Sequence, residues 1–140
     1  MSDSNIWVSD IQTKAYSRAK AILTASLGDK YPSLYITDDD ETPTEPQFPT
    51  VYIHFLEPAE RGQDLEGSEV NAIYLTAEVE VTVTKAQGMR VCKEVSYVAL
   101  DAFKSMRFQA TMPAFKNDGS GTKRMIARYA RTIGSNDKLY

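Results

Sequence analysis

Two glutamates, Glu78 and Glu80, have the spacing that best suits acid–base chemistry. They lie two positions apart in an alternating segment, so both project from one face of a strand. Paired carboxylates can act as acid and base when a cleft drives their pKa values apart. On a polar strand face such a pair is more often solvated or salt-bridged, and Arg124 and Arg128 are candidate partners. The sequence favours ion pairing, across a sheet or a subunit boundary, over catalysis.

The single histidine and the single cysteine lack the neighbours that catalysis requires. A general base needs a partner that orients it, and the sequence supplies none for His54, which favours a structural role. Cys92 borders an apolar helical stripe without an activating basic residue, so we expect a core thiol rather than a nucleophile. A lone cysteine cannot form an intrachain disulfide and is typical of a reducing compartment.

Four consecutive acidic residues, Asp38, Asp39, Asp40 and Glu41, could attract a hard cation. The run lacks the alternating ligands and the central glycine of a calcium loop, so a solvated loop is the favoured interpretation. The chain also lacks a phosphate loop, a dinucleotide fingerprint, zinc-ligand spacing and a nucleophile elbow. We therefore expect no enzyme activity, no metal and no cofactor.

Four cations lie within the segment 123–131, namely Lys123, Arg124, Arg128 and Arg131, and Tyr129 lies among them. Such a group could contact the phosphates of a nucleic acid. The pI of about 5.2, however, is far below the values of dedicated nucleic-acid-binding proteins. Salt bridges are the favoured role for these cations.

Charge is divided unevenly along the 140 residues, whose net charge is −3. Residues 1–84 hold 5 Lys/Arg and 15 Asp/Glu, whereas residues 85–140 hold 11 Lys/Arg and 4 Asp/Glu. The two parts either pair within one domain or leave acidic and basic surfaces that meet between copies. A hydrophobic content of 42% predicts one globular domain. No apolar run is long enough to cross a membrane, and the acidic N-terminus does not resemble a secretory signal, so we expect a cytoplasmic site of synthesis.

The segment 71–84 organises the predicted fold, because apolar and polar residues alternate strictly along it. At about 3.3 Å per residue, one strand of this length would span about 45 Å. Apolar residues at three- and four-residue steps predict a helix that ends at Leu27, before Gly28, and a second helix after Gly88. The apolar residues of the long strand are Ile73, Leu75, Ala77, Val79, Val81 and Val83.

Shorter elements complete the pattern. Strands are predicted over 34–36, 50–56, 109–116 and 123–133, a loop or arm tip over 61–68, a turn over 117–121, and loose termini over 1–4 and 135–140. Pro113 favours an edge position or a bulge for its strand. The order α, β, β, β, α, β, β predicts a single α+β two-layer domain, with a mainly antiparallel sheet and two helices packed on one face.

The order and texture of these elements resemble the tail terminator proteins, also called tail completion or neck proteins, of tailed bacteriophages. The resemblance covers roughly residues 5–134 and rests on four segments. These are FPTVYIHFLEP, EVNAIYLTAEVEVTVT, VCKEVSYVALDAFKSM and KRMIARYARTIG. The resemblance implies a structural virion protein that forms a ring, typically hexameric, on the last ring of the tail tube. Such a ring stops tube polymerisation and provides the surface that joins the head.

The resemblance also implies partners and a place of assembly. The partners would be further copies of the chain, the tail tube protein and the head–tail connector protein, brought together in the bacterial host cytoplasm. Genome DNA would pass through the lumen without specific binding, and no membrane is involved. Candidate lumen or subunit-contact residues are Glu78, Glu80, Asp38, Asp39, Asp40, Arg124, Arg128 and Arg131.

Two alternatives remain open at the level of sequence. The protein could be another neck component, such as a head–tail joining protein below the portal. It could instead be a small α+β ligand-binding domain or enzyme, with His54, Tyr52 and nearby carboxylates lining a pocket. A ring protein is expected to form discrete oligomers or to assemble on tail tubes, whereas a ligand-binding domain is expected to contain a pocket with converging polar groups.

Overall fold

A mainly antiparallel sheet carries two helices against one face in the computed structural model, which describes residues 6–39, 47–63, 70–116, 118 and 121–140. The predicted α+β two-layer fold is confirmed. The helices are α1 (Trp7–Leu27) and α2 (Gly88–Ser105). The strands are β1 (Tyr35–Thr37), β2 (Thr50–Phe55), β3 (Ala59–Gln63), β4 (Val70–Thr84), β5 (Gln109–Lys116) and β6 (Thr122–Gly134).

The strand order across the sheet is β1-β2-β4-β6-β5, and β3 pairs with β4. Only β1 and β2 run parallel; the other pairs are antiparallel. Residues 72–84 of β4 pair with residues 122–134 of β6, while β2 and β3 pair in turn with the other side of β4. The long strand is therefore the centre of the sheet.

The alternation along β4 separates its two faces. All six apolar side chains predicted for one face are at most 2% exposed and belong to the core, while the polar side chains between them are partly exposed. Each buried valine, leucine or isoleucine side chain contributes about 1.5–3 kcal/mol of transfer free energy, which fixes the register because a one-residue slip would expose the whole set.

The helices cover the apolar face with their own apolar stripes. The buried residues of α1 are Val8, Ile11, Ala15, Ala19, Leu23 and Leu27. Those of α2 are Cys92, Val95, Ser96, Ala99, Ala102 and Phe103. Cys92, which the sequence placed at the border of the apolar stripe of α2, is fully buried, whereas Val91 and Val98 are only partly buried. No helix in the described part of the chain is long and apolar enough to span a membrane.

The turn after α2 has the hydrogen bonds of a Schellman motif. The backbone N–H of Phe108 donates to the carbonyl of Phe103 over 3.0 Å, and that of Arg107 donates to the carbonyl of Lys104 over 2.9 Å. The rings of Phe103 and Phe108 meet edge to face at 5.3 Å, which is the apolar contact that accompanies this motif. Arg107 has a φ of 67°, at a position where glycine is usual.

Two sequence predictions need correction. The loop predicted over 61–68 is wrong for residues 61–63, which belong to β3 and pair with β4 through register shifts, while residues 64–69 lie outside the described residues. The tail predicted to be loose over 135–140 contains Leu139, which is 5% exposed and packs in the core. Neither segment contains a periodic apolar pattern, and such a pattern is the main sign by which strands and buried segments are predicted from sequence. Residues 1–4 lie outside the described part of the chain.

Candidate functional site

A row of three polar side chains crosses the face of the sheet that the helices leave open. His54 on β2 and Arg128 on β6 are the two register partners of Glu78 on β4. Nε2 of His54 lies 2.9 Å from Oε1 of Glu78, and Nε of Arg128 donates to Oε2 of Glu78 over 2.7 Å. One carboxylate therefore joins three neighbouring strands through both of its oxygens.

The environment of Glu78 favours its charged form. Burial raises the pKa of this carboxyl, but the hydrogen bonds with Arg128 and His54 outweigh burial and hold the pKa below its ordinary value. A general acid at neutral pH needs the opposite shift. The chemistry of the row is therefore ion pairing, as the sequence predicted for Glu78 and Arg128.

His54 has the orienting partner that sequence reasoning missed. Besides its contact with Glu78, its ring stacks on Tyr52 with centroids 4.6 Å apart and planes at 6°. The alternation of each strand places His54 and Glu78 on the same face of the sheet, but it does not determine the register that places them opposite each other.

Glu80 and Arg124 do not form the second ion pair that the sequence suggested. Glu80 lies opposite Tyr52 and Ile126, one row away from the level of Arg124. Within the described residues no ion pair includes Glu80. The backbone N–H of Arg124 donates to Asp118 Oδ1 over 3.4 Å. The open face thus carries two carboxylates and two guanidinium groups at these four positions.

Arg131 stabilises the C-terminal part of the fold. Its register partner is the buried Leu75, so it lies on the helix-covered side of β6. Nη1 donates to the carbonyl of Met106 over 2.9 Å and to that of Leu139 over 3.2 Å. Burial lowers the pKa of this guanidinium. These contacts place Arg131 away from the open face and tie the C-terminal segment to the turn after α2.

Asp38 and Asp39 follow β1 directly. The backbone N–H of Asp39 donates to Oγ1 of Thr37 over 2.9 Å. Asp40, the third member of the predicted acidic set, lies outside the described residues. Within the described ranges, no group of three His, Cys, Asp or Glu side chains could hold a metal ion.

A polar cleft of about 310 Å³ opens where α1 passes the edge of β2. Its lining comes from three elements: Ser9, Gln12, Thr13 and Tyr16 on α1, Asp38 after β1, and Ile53, His54 and Phe55 on β2. Within the described part of the chain, β1 pairs with residues 50–52 of β2, and the cleft lies beside the next three residues of β2. Burial, followed by the charge of Asp38, raises the pKa of Tyr16.

Cys92 has no access to solvent. It is 0% exposed, and its thiol lies 3.3 Å from the carbonyl oxygen of Val81. Burial raises the pKa of this thiol to about 11. The predicted core position of Cys92 is confirmed.

The strand order carries the uneven charge of the sequence to opposite edges of the sheet. Among the described side chains of residues 35–59, which include β1 and β2, Asp38, Asp39 and Glu57 are acidic and none is Lys or Arg. Residues 109–134, which form the β5–β6 hairpin, contain five Lys/Arg and one Asp. Because β1 and β5 are the ends of the strand order, acidic side chains predominate toward one edge of the sheet and cationic side chains predominate in the hairpin that forms the other.

No model of a known protein family matches this sequence, and no curated protein matches it in a sequence search.

Proposed function

We propose that the protein is a tail terminator of a tailed bacteriophage. Copies associate head to tail into a hexameric ring, which caps the tail tube, stops its polymerisation and provides the surface for the head connector. Its partners are the tail tube protein and the connector, and its location is the neck of the virion. The observed succession of helices and strands supports this proposal, because the resemblance rests on the order of these elements.

The observation that carries the proposal is the opposite charge of the two sheet edges. A head-to-tail contact joins two different surfaces, and it generates a closed ring when the rotation between copies closes. An acidic edge on one copy facing a basic edge on the next favours this heterologous contact over an isologous one, in which like charges would meet. Complementary charge sets the register and the rate of such association more than its affinity.

The open face of the sheet is the candidate lining of the lumen. It is polar along β4, and the Glu78–Arg128 pair neutralises both charges within one row. A surface that held DNA would need unpaired cations facing the phosphates. A lining whose arginine is already paired with a carboxylate lets DNA pass without being retained.

Light scattering coupled to size exclusion, combined with electron microscopy, tests the ring. We expect a discrete oligomer with a central hole, or a monomer that becomes a ring when it is added to tail tubes of the same phage. Added protein should also arrest tube elongation. A protein that stays monomeric at every concentration and neither binds tube ends nor stops elongation overturns the proposal. Binding to the connector without binding to tube ends would identify a head–tail joining protein instead.

A ligand-binding domain is the second candidate function, and the polar cleft is the observation that favours it. The cleft brings Asp38, after β1, together with Tyr16 on α1, and these are side chains of the kind expected in the pocket of a small polar ligand. A thermal-shift screen of metabolites tests this alternative. A ligand that stabilises the wild type, but not a Tyr16→Phe or Asp38→Asn variant, would support it.

A further inference from the structure

We infer that Arg107 of one copy enters the polar cleft between α1 and β2 of the next copy, with its guanidinium beside Asp38. This contact rests on the proposed head-to-tail ring and names the residues that join its subunits. Both partners lie on the chain itself, at opposite edges of the sheet.

The backbone of Arg107 has a conformation that is unusual for a residue with a side chain. Its φ of 67° lies in the left-handed region, and among the described residues no other non-glycine residue has a positive φ. Glycine avoids the steric cost of this conformation and is the usual residue at this point of a Schellman motif. Arginine has that steric cost at this position, and it adds a long cationic side chain that glycine lacks.

The side chain of Arg107 projects from a turn that is anchored in the core. Met106 and Phe108 on either side are 0% and 1% exposed, so the turn is anchored in the core, whereas Arg107 itself is exposed. Two backbone hydrogen bonds across the turn also fix its direction. A long cationic side chain on an anchored turn loses less conformational entropy on binding than one on a mobile loop.

The cleft is lined by hydrogen-bond acceptors that suit a guanidinium group. It offers the Asp38 carboxylate and side-chain oxygens of Ser9, Gln12 and Thr13 as acceptors. Among the described residues, the backbone of residues 53–55 pairs with β4 alone, and the cleft lies along its other side. A guanidinium presents five donors in a planar fork, which suits several acceptors around one carboxylate better than the point charge of a lysine.

The cleft and Arg107 lie toward the same end of the sheet, measured along its strands. Phe55, at the cleft, pairs with Ala77, which pairs with Tyr129, which pairs with Ala110 on β5. Ala110 lies three residues after Arg107, about 10 Å along an extended chain, so the cleft and the arginine lie toward the same end of the sheet at opposite edges. Copies related by a rotation about a ring axis keep the same height along that axis, so equivalent rows meet where the row runs around the ring.

The test uses variants that preserve the fold. Arg107→Gly removes the side chain and relieves the backbone, so the monomer should stay folded. We expect it to weaken ring association at least tenfold in light scattering, and Asp38→Arg to do the same. The double variant Arg107→Asp/Asp38→Arg should restore association, because it reverses the pair. Lys104→Glu, a charge reversal one turn earlier on the exposed surface of α2, is the matched control and should assemble normally.

The outcomes separate this contact from the ring itself. If the wild type forms rings and Arg107→Gly or Asp38→Arg forms them equally well, the contact is refuted while the ring stands. If both single variants fail and the reversed pair does not recover, the direct pairing of these two residues is refuted. If the wild type never associates, alone or on tail tubes, the contact and the proposed function fall together.

Discussion

Glu78 accepts a hydrogen bond from Arg128 across β4 and β6 while its other oxygen lies 2.9 Å from His54 on β2. The side chain of Glu78 is only 14% exposed, whereas that of Arg128 is 44% exposed. The carboxylate is thus the shielded centre of the row and the arginine its solvated end. Removing the carboxylate affects three strands, whereas removing the arginine leaves His54 in place.

The first prediction concerns the contribution of this row to stability. Hydrogen bonds to charged groups contribute about 1.5–3 kcal/mol, and the partial exposure of Arg128 reduces that value. We expect Glu78→Ala to lower the free energy of unfolding by about 1–2 kcal/mol in urea denaturation. Glu80→Ala on the same face is the control and should change it by less than about 0.5 kcal/mol. Equal effects of the two substitutions would contradict a special role for the row.

The second prediction is a pH dependence that Glu78 introduces. Its folded-state pKa lies below the ordinary value of 4.5, so the folded state binds this proton more weakly than the unfolded state. The stabilisation is therefore complete above pH 4.5 and is lost as the pH falls through the folded-state pKa. We expect the difference in unfolding free energy between wild type and Glu78→Gln to shrink below this pH. A difference that stays constant to pH 3 would contradict the assignment.

Much of the fold was predictable because apolar residues repeat with the period of their element. The alternation of β4 and the stripes of both helices follow directly from burial on one face, so a single sequence reveals them. Pro113 predicted an edge strand for a reason that is equally local, since proline has no backbone N–H to donate to a neighbouring strand. Predictions failed where backbone pairing alone made the element, as in β3.

The candidate site was less predictable because it depends on register and on turn geometry. Glu78 and Arg128 were recognised as partners from their charges, but the contact of Glu78 with His54 depends on which residues of β2 and β4 lie opposite each other. Arg107 gave no signal at all, since a positive φ at a non-glycine residue cannot be read from the sequence. Tertiary structure brings Asp38 and Tyr16 together across separate elements.

The third prediction concerns the thiol of Cys92. With a pKa of about 11, only about one thousandth of this thiol is ionised at pH 8, and no solvent reaches it in the folded state. We expect a disulfide reagent to label the native protein at least about a hundred times more slowly than the protein in denaturant. Rapid labelling of the native protein would show that α2 opens from the sheet far more often than its burial implies.

The fourth prediction separates the backbone cost of Arg107 from any role in assembly. Glycine adopts the left-handed conformation without the steric cost that a side chain brings, although it gains more entropy on unfolding. We expect Arg107→Gly to raise the free energy of unfolding of the monomer by about 0.5–1 kcal/mol. Arg107→Ala is the control, since it removes the guanidinium but keeps the strain, and it should bring no such gain. A glycine variant that is less stable than the alanine variant would mean that the turn is not strained.

The fifth prediction concerns the C-terminal residues, for which the sequence predicted a loose tail. Leu139 is buried in the core, and its carbonyl accepts a hydrogen bond from Arg131. Tyr140 is 61% exposed, although the Arg18 guanidinium lies 4.5 Å from the centre of its ring.

Deleting a buried leucine side chain costs about 2–5 kcal/mol, with the smallest values where the site can collapse, as it can near a chain end. We therefore expect Leu139→Ala to destabilise the protein by about 2 kcal/mol, measured by urea denaturation. Tyr140→Ala should cost less than about 1 kcal/mol, because exposed cation–π contacts are worth only about 0.5–1 kcal/mol. If both substitutions leave stability unchanged, the C-terminal residues do not close the core.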